Sequence, residues 1–262
     1  MTDERGRSLS IDAASVYEEF FVPALFGKWA EVVASSAGLQ PGESVLDVAC
    51  GTGVLARAAA KLVGPSGAVV GLDPDSGMLA VATLNAHEVE WHSGVAESLP
   101  FEDETFDAVI SQFGLMFFDD SLQSLSEVRR VLRPRGRTTF AVWNSLEETP
   151  AYAAFVNLLV RLFGKSVADG LCSPFSMGDP RGLGSLFRLA GFSSPEIQTR
   201  LGWAHFPSLA AWVEADAKGW LQLDDAQHEL LLAEAHEDLR PFLTSEGAVK
   251  FEISAHIITA ER

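Results

Sequence analysis

From Ser44 to Trp143 the chain alternates short apolar runs with amphipathic helical patterns. The runs at 44–49, 68–72, 89–92, 106–112 and 138–143 read as strands. Val54, Leu55, Ala58, Ala59 and Leu62 mark one intervening helix face, residues 76–86 form a second helix, and Leu122, Leu125, Val128 and Leu132 mark a third. Strands that are apolar along their whole length need cover on both faces. A parallel sheet with helices on either side supplies it. The expected class is therefore α/β, a doubly wound sheet that binds ligands beyond the carboxyl ends of its strands.

The flanks differ in texture. About ten polar residues open the chain and are expected to be loose. Helical spacing follows at Val16, Tyr17, Phe20 and Phe21, then at Leu25, Trp29, Val32 and Val33. After Asn144 the alternation stops. Residues 152–163 read as a helix, 164–184 as a Gly/Pro/Ser-rich loop, and 183–189, 208–217 and 225–239 as further helices. The stretch 249–258 alternates apolar with polar residues, which predicts an antiparallel strand with one less apolar face.

Composition narrows the partners. The 262 residues carry 36 acidic against 19 basic side chains, a formal net charge of −17. Such a surface repels phosphate backbones and anionic lipid headgroups, so neither nucleic acid nor a membrane is an expected partner. Cys50 and Cys172 cannot build a disulfide framework, and no Cys/His spacing suits zinc. The Met-Thr-Asp-Glu-Arg start lacks an apolar leader, and no run approaches a membrane span. A cytoplasmic location is expected, as a monomer or a homodimer.

The chemistry concentrates in Val45-Leu-Asp-Val-Ala-Cys-Gly-Thr-Gly-Val, an apolar strand with an acid near its end and a small-residue turn that opens a helix. Gly51 and Gly53 allow backbone angles closed to other residues and let a ligand approach the main chain. The second strand ends in Asp73, suited to the two hydroxyls of a ribose. Together these indicate a nucleoside-containing cofactor. Gly51-Thr-Gly-Val-Leu-Ala also satisfies the G-x-G-x-x-A dinucleotide pattern, so NAD is an alternative. Against it, Asp47 just ahead of the glycines is unfavourable beside a pyrophosphate and suits a ligand with an ammonium and a sulfonium. S-adenosylmethionine (SAM) fits.

With these residues in view, the chain resembles the class I SAM-dependent methyltransferases, in the small-molecule group of ubiquinone and menaquinone biosynthesis. The resemblance spans about residues 40–145 through Val45–Gly53, Gly71–Asp73, Gly94–Phe101 with Phe106–Phe118, and Arg130–Gly136. It implies a seven-stranded, mostly parallel Rossmann-like sheet with an antiparallel last strand and inserted lid helices. The implied organisation is an N-terminal helical cover over 1–40, the SAM-binding core over 41–145, a lid over 146–190 and 203–245, and final strands over 191–202 and 246–262.

Carried over by position, Asp47, Ala49, Cys50, Gly51 and Gly53 line the methionine half of the cofactor. Asp73 holds the ribose, Pro74 and Met78 lie against the adenine, and Val95, Ala96 and Glu97 follow at its edge. Gln112, Phe113 and Phe117 lie beneath the sulfonium, and Tyr17, Phe21 and Trp29 cover it; an aromatic face attracts a cation. Tyr17, Trp143, Asn144 and His205 are candidates for the acceptor pocket. Val95 replaces the family's usual Asp, so the adenine amino group passes to a main-chain carbonyl. Arg135 replaces the first Gly of the usual Pro-Gly-Gly. The arginines at 129, 130, 133, 135 and 137 read as a solvated structural run at a helix end.

No Asn/Asp-Pro-Pro-Tyr follows the fourth strand, which argues against adenine or amide acceptors. The expected activity is methyl transfer to an O, N or C atom of a small, largely apolar molecule, with no catalytic residue assigned. The alternatives are a SAM-binding protein of the same fold without methyl transfer and, less favoured, an NAD-dependent oxidoreductase.

Overall fold

The computed structural model describes residues 11–221 and 223–262. The expected loose residues 1–10 lie outside this range. Seven strands form one sheet: β1 (Ser44–Val48), β2 (Ala68–Asp73), β3 (Glu90–Ser93), β4 (Phe106–Gln112), β5 (Leu132–Trp143), β6 (Ser193–Phe206) and β7 (Val249–Glu261). Their order is β3-β2-β1-β4-β5-β7-β6, mostly parallel with antiparallel last strands. β1 pairs in parallel with both β2 and β4. Chain direction across the sheet reverses between β1 and β4, the switch point at which such sheets bind ligands.

The helices follow from local signals. α1 (Ile11–Val16) runs into a wide π-helical stretch, Tyr17–Phe26, and then α2 (Gly27–Ser36). The sequence predicts an ordinary helix here. Pro23 lacks the N–H an α-turn needs, and the Gly27 N–H instead reaches back to Val22 O. α3 (Val54–Val63) starts at the left-handed Gly53 and stops at Gly64. Asp75 caps α4 (Ser76–Asn85) by accepting the Met78 N–H, and Asp120 caps α5 (Ser121–Val131) by accepting the Gln123 N–H.

Three expectations need correction. The fifth strand is not confined to 138–143. β5 begins at Leu132, and its pairing with β4 jumps from Phe106↔Leu132 to Ala108↔Arg137, so the Arg-Pro-Arg-Gly segment is a bulge. Arg135, at the family's glycine position, keeps the glycine conformation with φ +67°. The basic run is structural and only partly solvated: Arg133 and Arg135 are exposed, but most of the run is paired. Arg137 pairs with Glu43 at 2.6 Å, Arg133 with Asp107 at 2.7 Å and Arg130 with Glu127 at 2.7 Å, while Arg129 Nε donates to Gly191 O. Third, β7 is buried on both faces from Ile253 to Ile258, because it lies inside the sheet between β5 and β6.

The chain packs as two compact units. The first comprises the residues up to Ala141, Arg181–Gln198, which includes most of α8 (Pro180–Leu189), and Ile257–Arg262. The second comprises Val142–Pro180 and Thr199–His256. It holds α6 (Pro150–Phe163), α7 (Lys165–Cys172), α9 (Leu209–Trp220) and α10 (Asp225–Asp238). The sequence reads α7 as loop, since its Gly and Ser content hides Ala168 and Leu171, the two side chains it buries. The core of this unit is aromatic, with Trp212 and Phe251 rings 4.8 Å apart and Tyr152 edge-on to both. Arg161 on α6 reaches Glu234 and Asp238 on α10.

Candidate cofactor site

At the switch point β1 delivers Asp47 beneath the turn Ala49–Gly53. Asp47 is fully buried, and among the described residues no donor meets either carboxylate oxygen at full hydrogen-bond geometry, the Ala56 N–H being only nearby. Burial therefore pushes its carboxyl well above the usual range; the Ala56 amide offsets this only in part, and the Asp73 charge adds to it. The buried hydroxyls of Thr52 and Ser111 and the Gln112 carbonyl oxygen are likewise unpartnered. Such groups are costly unless a ligand or water meets them. A cation with N–H donors suits the acid among them.

The turn itself is strained toward this place. Ala49 has φ +58° and Phe113, just past the end of β4, has φ +56°, a conformation that costs an L-residue about 1–2 kcal/mol. Phe113 is held there by its N–H bond to Ala141 O at 2.9 Å. Gly51 has φ +53°, and a Cβ built on it would meet nothing within 4 Å, so its main chain is open to a ligand. Gly53 is left-handed too, yet its constraint is different: a Cβ there would stand 2.3 Å from the Trp91 ring. The same ring would meet a Cβ on Gly71 at 2.3 Å. Trp91 thus wedges beneath the turn, a role the sequence reading misses. The signal was Gly71 inside an apolar strand, which marks close approach.

Asp73 ends β2 with Oδ2 accepting the Gly51 N–H at 2.8 Å and Oδ1 accepting the Asp75 N–H at 2.9 Å. Each oxygen keeps a second lone pair. Burial raises its pKa to about 6 against the pull of those two amides. Cys50 is buried beside Gly71, and desolvation first and the two acids second raise its thiol, so it is no nucleophile.

The N-terminal helices bring rings to the same end. Tyr17 lies 5.3 Å from Phe26 and 5.6 Å from Phe21, while Phe26 and Trp29 each lie 5.9 Å from Phe113. Gln112 Nε2 donates to Phe26 O at 3.2 Å. The Tyr17 hydroxyl is raised by burial and then by the charges of Asp73 and Glu18. Phe26 and Thr52 were not among the expected site residues, and no spacing in the sequence marks them.

The remaining expectations scatter. Pro74 is exposed and Met78 half-buried at the start of α4; Ala96 is buried and Val95 is 46% exposed. Glu97 Oε1 accepts the Asp120 N–H ahead of α5. Phe117, at 46% exposure, sits in the turn after β4. Trp143, Asn144 and His205 belong to the second unit. Trp143 is buried and His205 exposed, and the Asn144 side chain donates to Ser254 Oγ and accepts the Ser145 N–H.

These residues fit SAM. A buried, unpartnered carboxylate suits its ammonium, the open Gly51 backbone its approach, the Asp73 lone pairs its ribose, and the rings its sulfonium. Among the described residues no group of three metal-binding side chains occurs.

Comparison with known proteins agrees. Residues 45–136 match a family model described as a methyltransferase domain. The demethylmenaquinone methyltransferase of Staphylococcus carnosus (strain TM300) is 34% identical over 205 residues, covering 73% of this chain and 85% of the relative. Among solved structures, the YcgJ protein of Bacillus subtilis superposes with a TM-score of 0.62 at 20% identity, over 89% of this chain and 97% of that one. The phosphoethanolamine N-methyltransferase 2 of Haemonchus contortus, solved with SAM, gives 0.63 at 17% identity, over 97% and 57%. By sequence, fold and site, the chain belongs to the class I SAM-dependent methyltransferases, in the quinone-biosynthesis group.

Proposed function

We propose that the acceptor is a small, planar, largely apolar ring of the quinol type, methylated on a ring carbon or oxygen. The observation that carries this is the aromatic array of Tyr17, Phe21, Phe26, Trp29 and Phe113 at the switch point. Such walls suit a flat ring and a sulfonium alike. When bound, SAM supplies an electrophilic methyl group for in-line displacement and leaves as S-adenosylhomocysteine.

The chain's own part is binding and orientation. Asp47 takes the ammonium, Asp73 the ribose, and the rings align the acceptor, a contribution of order 7–11 kcal/mol where alignment is good. Tyr17, held protonated, donates a hydrogen bond but does not act as a base at neutral pH. A reduced quinol ring is already nucleophilic, and the proton that the methyl group displaces from the ring carbon or hydroxyl is lost to solvent, so the reading assigns no general base. The net charge of −17 supports a reading without nucleic-acid or membrane partners, in a cytoplasmic monomer or homodimer.

The test is incubation with methyl-labelled SAM and a demethylated naphthoquinol, read by mass spectrometry. A +14 Da product with equimolar S-adenosylhomocysteine is expected, and none should form with the oxidised quinone.

A further inference from the structure

Resting on the SAM reading, we propose that Arg57 is a positioning residue, latching the Tyr17–Phe26 stretch across the cofactor site through Glu18 and so setting how fast cofactor and product exchange. Its guanidinium joins two otherwise separate parts. Arg57 Nη1 donates to Thr52 O at 2.7 Å, the carbonyl between the two site glycines. Arg57 Nη2 meets Glu18 Oε1 at 2.6 Å, on the π-helical stretch. Both side chains are about one-fifth exposed. This is a charge-assisted contact, partly shielded from salt.

The stretch lies where a cofactor has to pass. α1 packs on α4, which begins beside Asp73, and α2 packs on α3 and β4. The end of the π-helical stretch therefore lies at the carboxyl end of β4, where Gln112 Nε2 donates to Phe26 O and the Phe26 ring meets Phe113. Asp47 and Ser111 are 0% exposed, Thr52 1% and Asp73 8%. Acceptors this buried are reached from solvent only if a covering segment moves. The backbone supplies a place for that motion: Pro23 lies inside the run and Gly27 follows it, π-type turns bond less regularly than α-turns, and such turns recur at functional sites. Glu18 sits on the far side of Pro23 from α2, so releasing it frees the end that carries Tyr17. Among the described residues Glu18 Oε2 is buried without a partner, and the ion pair with Arg57 holds that carboxylate.

The experiment compares wild type, Arg57→Gln, Glu18→Gln, the double variant and Arg57→Lys. S-adenosylhomocysteine dissociation is read by stopped flow, and KM for SAM and kcat are measured separately. Each single Gln variant should speed dissociation and raise KM for SAM about five- to twentyfold, with kcat unchanged or higher. The double variant should be no worse than Arg57→Gln alone, because that single variant already removes the contact with Glu18. Arg57→Lys, which cannot span Thr52 and Glu18 together, should rescue only partly. Additive losses, or an unchanged dissociation rate with a fallen kcat, would overturn the latch. Wild-type protein that binds no S-adenosylhomocysteine would instead overturn the cofactor reading on which the latch rests.

Discussion

The Asp73 carboxylate accepts the Gly51 N–H at 2.8 Å, tying the end of β2 to the glycine turn after β1. The acid proposed to receive the ribose is thus also a fastener of the loop beside it. Its pKa near 6 makes this contact titratable within the stable range of most proteins. The ionised form accepts the amides and the ribose hydroxyls, so protonation competes with binding. SAM affinity should hold above pH 7 and be about tenfold weaker at pH 5. Asp73→Asn should weaken binding by roughly ten- to a hundredfold, the scale of a lost charged hydrogen bond, and abolish the step near pH 6. Titration calorimetry across pH checks both.

Asp47 gives a second, separable signal. Its carboxyl is held well above the usual range by burial, and an arriving ammonium favours the ionised form. Binding of SAM should therefore be accompanied by proton release, measured as a dependence of binding enthalpy on the buffer's ionisation heat. Asp47→Asn should bind more weakly with almost no release. Release unchanged in the variant would place the proton elsewhere.

Trp91 and Gly71 make a steric pair that a double-mutant cycle can test. A methyl added at Gly71 would stand 2.3 Å from the indole. Gly71→Ala should cost about 1–3 kcal/mol in urea unfolding, the usual scale of overpacking. Combined with Trp91→Leu, most of that cost should disappear. Simple additivity would mean the ring does not hold the turn.

Asp216 titrates inside the aromatic core of the second unit. It is buried, Oδ2 has no partner, and its pKa is raised to about 7 by desolvation, which Trp212 and Tyr152 only partly counter. Between about pH 4 and 7 the unfolded chain has lost this proton and the folded one retains it, so stability falls as pH rises. The slope from this group is at most about 1.4 kcal/mol per pH unit. The stability of Asp216→Asn relative to wild type should therefore climb from pH 4.5 to 7 and level off above. Thermal melts across that range give the comparison.

What the sequence discloses, and what it hides, divides on range. The switch point is legible because its parts are local: a strand, an acid, two glycines and a second acid one strand later. Asp47, Gly51 and Asp73 stand together as the residue pattern implies. Trp91, Arg57 and Glu18 are hidden because their partners lie across the fold, and only the three-dimensional approach gives them meaning. The bulge before Arg137 is hidden for the opposite reason. Pro134 and Gly136 are strong local breakers, but pairing with β4 overrides them and holds Arg135 at φ +67°. Strict alternation in β7 likewise suggested an exposed face, whereas burial inside the sheet gives His256 two partners, Thr199 and Gly178.

The central claim is that Asp47 and Asp73 hold a SAM molecule for methyl transfer. Its most direct test is a single-turnover assay with methyl-labelled SAM and a demethylated naphthoquinol, run on wild type and on the Asp47→Asn/Asp73→Asn double variant. The account predicts one labelled methyl per S-adenosylhomocysteine in the wild type and loss of both products in the variant at SAM concentrations near the wild-type Kd. Saturable SAM binding without methyl transfer to any quinol, or equal turnover in the variant, would contradict it.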